Sequence, residues 1–170
     1  MGDPLFVSVL GWSGSGKTSL VAAALAECAR RGLPAAAAKR SHHEPDLAPG
    51  GKDSTAYLAA GALASLYVGD RGAVLFMPSP AATSRAFYAR LFPEARIIFL
   101  EGDRVEGGLV VETGGPARAE AELKLPFAEI GLLVTAEPGL ARACRDAGIE
   151  IIEPGEAARF IDLLEAYHGT

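Results

Sequence analysis

Eight consecutive residues, Gly11-Trp12-Ser13-Gly14-Ser15-Gly16-Lys17-Thr18, carry the strongest chemical signal in the chain. They fill every fixed position of the pattern G-x-x-x-x-G-K-[ST], in which glycines let the backbone turn its N–H groups toward a phosphate. A lysine at that spacing adds a point charge between the β- and γ-phosphates, and the hydroxyl after it is a ligand for Mg²⁺. The run from Gly11 to Ser19 is therefore expected to bind the phosphates of a nucleoside triphosphate. The pattern does not distinguish ATP from GTP.

Such a loop needs a carboxylate at the end of a neighbouring central strand to position the metal or its water. Ile97-Ile98-Phe99-Leu100-Glu101 supplies four apolar residues followed by an acid, so Glu101 is expected there. Asp53, in Gly50-Gly51-Lys52-Asp53-Ser54, is a second candidate, because the glycine pair lets backbone approach a ligand closely. Thr18, Asp53 and Glu101 form the expected metal set, with Glu101 and Asp53 also the expected catalytic carboxylates. The plainer roles for the two acids are a solvent-facing strand end and a helix N-cap. His42 and His43 are adjacent, and their spacing matches no zinc pattern, so they read as exposed loop residues.

The elements that must hold these groups follow from the apolar pattern. Leu5–Leu10 reads as a strand buried on both faces, and Lys17–Arg31 as a helix stopped by Gly32 and Pro34. Ala35–Lys39 is a second strand, and residues 41–53 form a long loop. Ser54 caps a short helix through Ala60, strands follow at Leu66–Val68 and Ala73–Met77, and Pro78–Pro80 opens a helix running to about Phe92. Further strands are expected at Ile97–Leu100, Leu109–Val111, Gly131–Thr135 and Ile149–Ile152, with a closing helix at Ala157–Tyr167. Strands alternating with helices imply an α/β three-layer sandwich with a mostly parallel sheet, in one P-loop NTPase domain spanning residues 1–170.

Composition narrows the partners. In 170 residues, 16 Lys and Arg face 21 Asp and Glu, a net charge of −5. A duplex-binding protein presents a basic face, so nucleic acid is not an expected partner. No apolar run approaches the ~20 residues of a membrane span, and Met1-Gly2-Asp3-Pro4 lacks the cations of a signal peptide. Cys28 and Cys144 lie far apart with no CxxC pair, as in a reduced cytoplasmic chain.

The order of motifs resembles one known family. Trp12 to Thr18 is followed by Lys39-Arg40-Ser41-His42-His43, by Pro49 to Ser54, by Ala60-Gly61-Ala62 and by Leu100-Glu101-Gly102. This succession, covering nearly the whole chain, is similar to the MobB family of molybdopterin-guanine dinucleotide biosynthesis adaptor proteins. The histidine pair followed by Gly-Lys-Asp-Ser is its most specific part.

The resemblance implies a homodimeric GTP-binding protein with weak Mg²⁺-dependent GTPase activity. It also implies a MobA-like nucleotidyltransferase as partner, which attaches GMP to molybdopterin, with molybdopterin as a further ligand. It raises Asp53 and Glu101 as nucleotide–magnesium residues, and it draws Glu137 into the site. In Val134-Thr135-Ala136-Glu137-Pro138 the resemblance implies a carboxylate that accepts from the guanine N1–H and exocyclic amine; the plainer role of Glu137 is to start the next helix before Pro138. The chain departs from the family pattern at Arg40, where a third histidine is common, at Arg96, and at Asp103-Arg104. The competing class is a P-loop small-molecule or nucleotide kinase. Such kinases need an arginine-rich lid, and residues 102–126 hold only Arg104 and Arg118.

Overall fold

A computed structural model of the chain describes residues 2–41, 56–78, 80, 82–114 and 123–168. The chain divides into two compact units, residues 41–83 and the remainder. The larger unit is built on six strands: β1 (Leu5–Leu10), β2 (Ala35–Lys39), β5 (Ile97–Glu101), β6 (Leu109–Thr113), β7 (Leu132–Val134) and β8 (Glu150–Ile152). Every pairing among them is parallel, and the order across the sheet is β2-β5-β1-β6-β7-β8. Among the described residues of this unit, four α-helices return the chain: α1 (Lys17–Arg31), α2 (Arg85–Leu91), α3 (Pro138–Asp146) and α4 (Ala157–His168).

Alternation along the central strands sends successive side chains to opposite faces, and both faces are covered. On one face Val7, Val9, Phe99, Val111 and Val134 pack against Val21 and Cys28 of α1 and Phe160 and Leu164 of α4. On the other, Phe6, Ile98 and Leu100 pack against Tyr88 of α2, while Leu133 and Ile151 meet Leu140 and Cys144 of α3. This is the three-layer α/β sandwich expected from sequence. All residues of β1, β5 and β6 are buried. Cys28 and Cys144 are buried thiols, and burial pushes the Cys28 thiol pKa up.

The smaller unit contains β3 (Ser65–Gly69) and β4 (Gly72–Phe76), an antiparallel hairpin closed at Gly69↔Gly72. Its apolar residues stay open to solvent: Leu66 is 61% and Val68 68% exposed.

One helix start differs from expectation. The helix assigned to Pro78–Phe92 begins only at Arg85, where the Ser84 hydroxyl accepts the Phe87 N–H at 3.2 Å from an extended backbone. A serine with that geometry is a better start than prolines several residues earlier. Among the described residues no helix is long and apolar enough to cross a membrane.

Candidate nucleotide-binding site

The chain leaves β1 at Leu10 and enters α1 at Lys17 through the glycine-rich loop, at the carboxyl edge of the sheet. Open α/β sheets bind ligands at this edge. Gly11, Gly14 and Gly16 all have positive φ (140°, 75° and 94°), a backbone that side-chain-bearing residues rarely adopt. Gly11 is also fixed by space: a Cβ there would stand 2.6 Å from Thr113 Oγ1 and 2.7 Å from Ser15 Oγ. Ser15 Oγ and Thr113 Oγ1 are hydrogen-bonded at 2.6 Å, and Thr113 donates to the Leu10 carbonyl at 3.2 Å. The end of β6 therefore buttresses the loop from beneath.

Helix α1 starts without a side-chain cap and has no acid in its first turn. Its leading N–H groups and the positive end of its dipole are left for an anion. The Lys17 ammonium lies across the loop mouth, donating to the Gly11 carbonyl at 3.1 Å and the Trp12 carbonyl at 2.7 Å. Burial lowers its pKa, against the opposing pull of Glu101.

Glu101 ends β5, in register with Val9 of β1 and Lys39 of β2. Its Oε1 accepts the Thr18 hydroxyl at 2.8 Å and lies 3.0 Å from Lys39 Nζ. The two residues whose metal role the sequence suggested, 83 positions apart, are thus in contact. Gly102 follows with φ +74°, and a Cβ there would press to 2.7 Å from the Arg40 carbonyl.

Asp53, His42 and His43 lie outside the described residues. Glu137 is the N-cap of α3: one carboxylate oxygen accepts the Gly139 N–H at 3.0 Å and the other accepts that of Leu140. These two bonds hold its carboxyl below the ordinary range. Two positions that depart from the family pattern meet each other: Arg40 Nη1 stands 3.4 Å from Asp103 Oδ1, whose other oxygen accepts the Tyr88 hydroxyl at 2.5 Å.

Sequence reasoning missed Glu112. It sits inside β6 with none of its surface exposed, and accepts the backbone N–H groups of Lys124 (2.5 Å) and Leu125 (3.1 Å). Burial raises its pKa despite those bonds. An acid interrupting the apolar run Leu109-Val110-Val111-Glu112 was the available signal. One residue before Thr113, it ties the chain returning after residue 122 to the strand that supports the glycine-rich loop.

The family described as molybdopterin guanine dinucleotide synthesis protein B matches residues 6–123, which contain the loop, Lys39 and Glu101. The chain belongs to this MobB family. Membership places it in molybdenum cofactor biosynthesis. Three solved structures have the same fold. MobB of Bacillus subtilis superposes with a TM-score of 0.67 at 22% identity, over 95% of this chain and 96% of that one. A molybdopterin-guanine biosynthesis protein B gives 0.66 at 19% identity, covering 98% and 100%. A MobB homologue from Bacillus stearothermophilus gives 0.62 at 19%, covering 96% and 97%. Among curated proteins, none matches the chain.

Proposed function

We propose that the chain binds GTP with Mg²⁺ at the Gly11–Ser19 loop and turns it over slowly. In this reading it acts as a homodimeric accessory to a MobA-like nucleotidyltransferase that attaches GMP to molybdopterin. The observation that carries the nucleotide reading is the Thr18–Glu101 contact at 2.8 Å, directly beside a helix start with no cap of its own.

The donor set fits Mg²⁺, which takes oxygen ligands: Thr18 Oγ1 and Glu101 Oε1 are the described candidates, and Asp53 is the proposed third. When bound, the ion would neutralise charge on the phosphate oxygens. The loop N–H groups and Lys17 orient the triphosphate, and Glu101 holds the attacking water, while Lys39 balances its charge at 3.0 Å. The homodimer is supported by the β3–β4 hairpin, since a two-stranded hairpin is marginal alone in water and this one exposes apolar residues on both faces.

Glu101→Gln keeps the volume and removes the charge. Phosphate release from GTP should fall at least about tenfold, with only a modest change in GTP affinity. An unchanged rate would reduce Glu101 to a strand-end residue.

A further inference from the structure

Beside the glycine-rich loop lies a cavity of about 280 Å³ at the carboxyl ends of β6, β7 and β8. Ligand pockets for whole drug-sized molecules run from ~300 Å³ upward, so this one suits a fragment such as a base, with the rest of the ligand outside. Its position supplies the rest. Ser15, Gly16 and Ser19 form one wall, so a group seated in the cavity is continuous with phosphates held by the loop. Leu20, Val134 and Pro154 make the lining largely apolar, as a planar ring requires.

The lining also includes the turn Glu153–Glu156 that leads into α4. Three carboxylates stand after β7 and β8, and two are committed. Glu137 caps α3. Glu156 accepts the Glu153 N–H at 2.9 Å and faces Arg159 at 3.4 Å. The Glu153 side chain has no hydrogen-bond or ion-pair partner among the described residues, and Glu156 fixes its backbone at the cavity wall.

We propose that this cavity is the purine subsite and that Glu153, rather than Glu137, reads the base. The proposal rests on the nucleotide reading above and names its specificity residue. A carboxylate offers two acceptors. Guanine presents two donors on one edge, N1–H and the exocyclic amine, whereas adenine presents an acceptor at N1 and leaves one oxygen unpaired. Hypoxanthine keeps N1–H and lacks the amine. Xanthine keeps N1–H and carries a carbonyl beside it, which matches an amide better than a carboxylate.

The test is competition binding of GTP, ITP, ATP and XTP to the parent, Glu153→Gln, Glu153→Ala and Glu137→Ala. The parent should rank GTP above ITP above ATP. Glu153→Gln should lose on the order of tenfold or more in GTP affinity and gain for XTP, while ATP stays unchanged. Glu153→Ala should lose the GTP preference without gaining XTP, and Glu137→Ala should keep the parent ranking. If the parent binds GTP but Glu153→Gln keeps its ranking, the Glu153 assignment is overturned and the nucleotide reading stands. If Glu137→Ala alone erases the preference, the base reader is Glu137. A parent that binds no triphosphate overturns both readings.

Discussion

Strands β1 and β3 are similar stretches of sequence with opposite fates. Leu5–Leu10 and Ser65–Gly69 are both short, apolar and rich in strand formers. All six residues of β1 are buried, whereas Leu66, Tyr67 and Val68 of β3 all face solvent. The difference is in what surrounds each. β1 has a parallel strand on either side and helices packed over both faces of its sheet. Among the described residues of its unit, β3 pairs with β4 alone. Apolar content makes a strand, but burial takes layers, and a hairpin without layers keeps its apolar area for association.

Truncation in the buried region should have the largest effect. Phe99 is fully buried, with its ring centroid 6.2 Å from that of Phe160. Phe99→Ala should cost about 3–5 kcal/mol of unfolding free energy in denaturant titrations, from lost transfer energy and the residual cavity. A cost below about 1 kcal/mol would mean that the sheet unit is as loosely packed as the hairpin.

Glu112→Gln probes the polar exception inside the same core. It replaces one of the two oxygens that accept backbone N–H groups with an NH2, leaving one of those N–H groups unpaired, and should cost about 1–3 kcal/mol. The pH dependence has a definite sign. Because burial raises the folded-state pKa, the folded chain holds this proton at higher pH than the unfolded chain does. Its contribution to stability is present below the ordinary carboxylate range and is lost as pH rises through the raised value. The parent should show that decline in thermal melts as pH rises above the ordinary carboxylate range, and Glu112→Gln should lack it.

The smallest change in folding stability belongs to the hairpin. Val68→Lys should alter unfolding free energy by no more than about 0.5 kcal/mol at high dilution, as for an exposed site. In sedimentation at higher concentration the same substitution should weaken self-association. A dimer unaffected by Val68→Lys would detach the hairpin from assembly.

The nucleotide edge was the most legible part of the chain, because its information is local. Leu5–Leu10, Lys17–Arg31 and Ala35–Lys39 fall at the boundaries that apolar runs, Gly32 and Pro34 indicate. Glu101 ends β5 after four apolar residues, and β-register then delivers it to Thr18. What sequence did not reveal depends on distant partners. Glu112 is satisfied by backbone twelve and thirteen residues downstream, and Thr113 by Ser15, 98 positions away. Glu137 was ambiguous because an acid before Pro138 serves equally as ligand or N-cap, and the cap geometry is visible only in the folded chain. Arg40 and Asp103, odd as single departures, make sense only as a pair.

The central claim is that the glycine-rich loop between β1 and α1 binds a triphosphate through Lys17. Titrating parent and Lys17→Ala with GTP in Mg²⁺, alongside thermal melts without nucleotide, tests it most directly. Among the described residues Lys17 donates hydrogen bonds only to backbone carbonyls, so the melts should coincide. Affinity should drop by about 2–4 kcal/mol, because the phosphate loses its closest lysine charge. Equal GTP affinity in the two proteins, with both folded, would contradict the assignment of the loop.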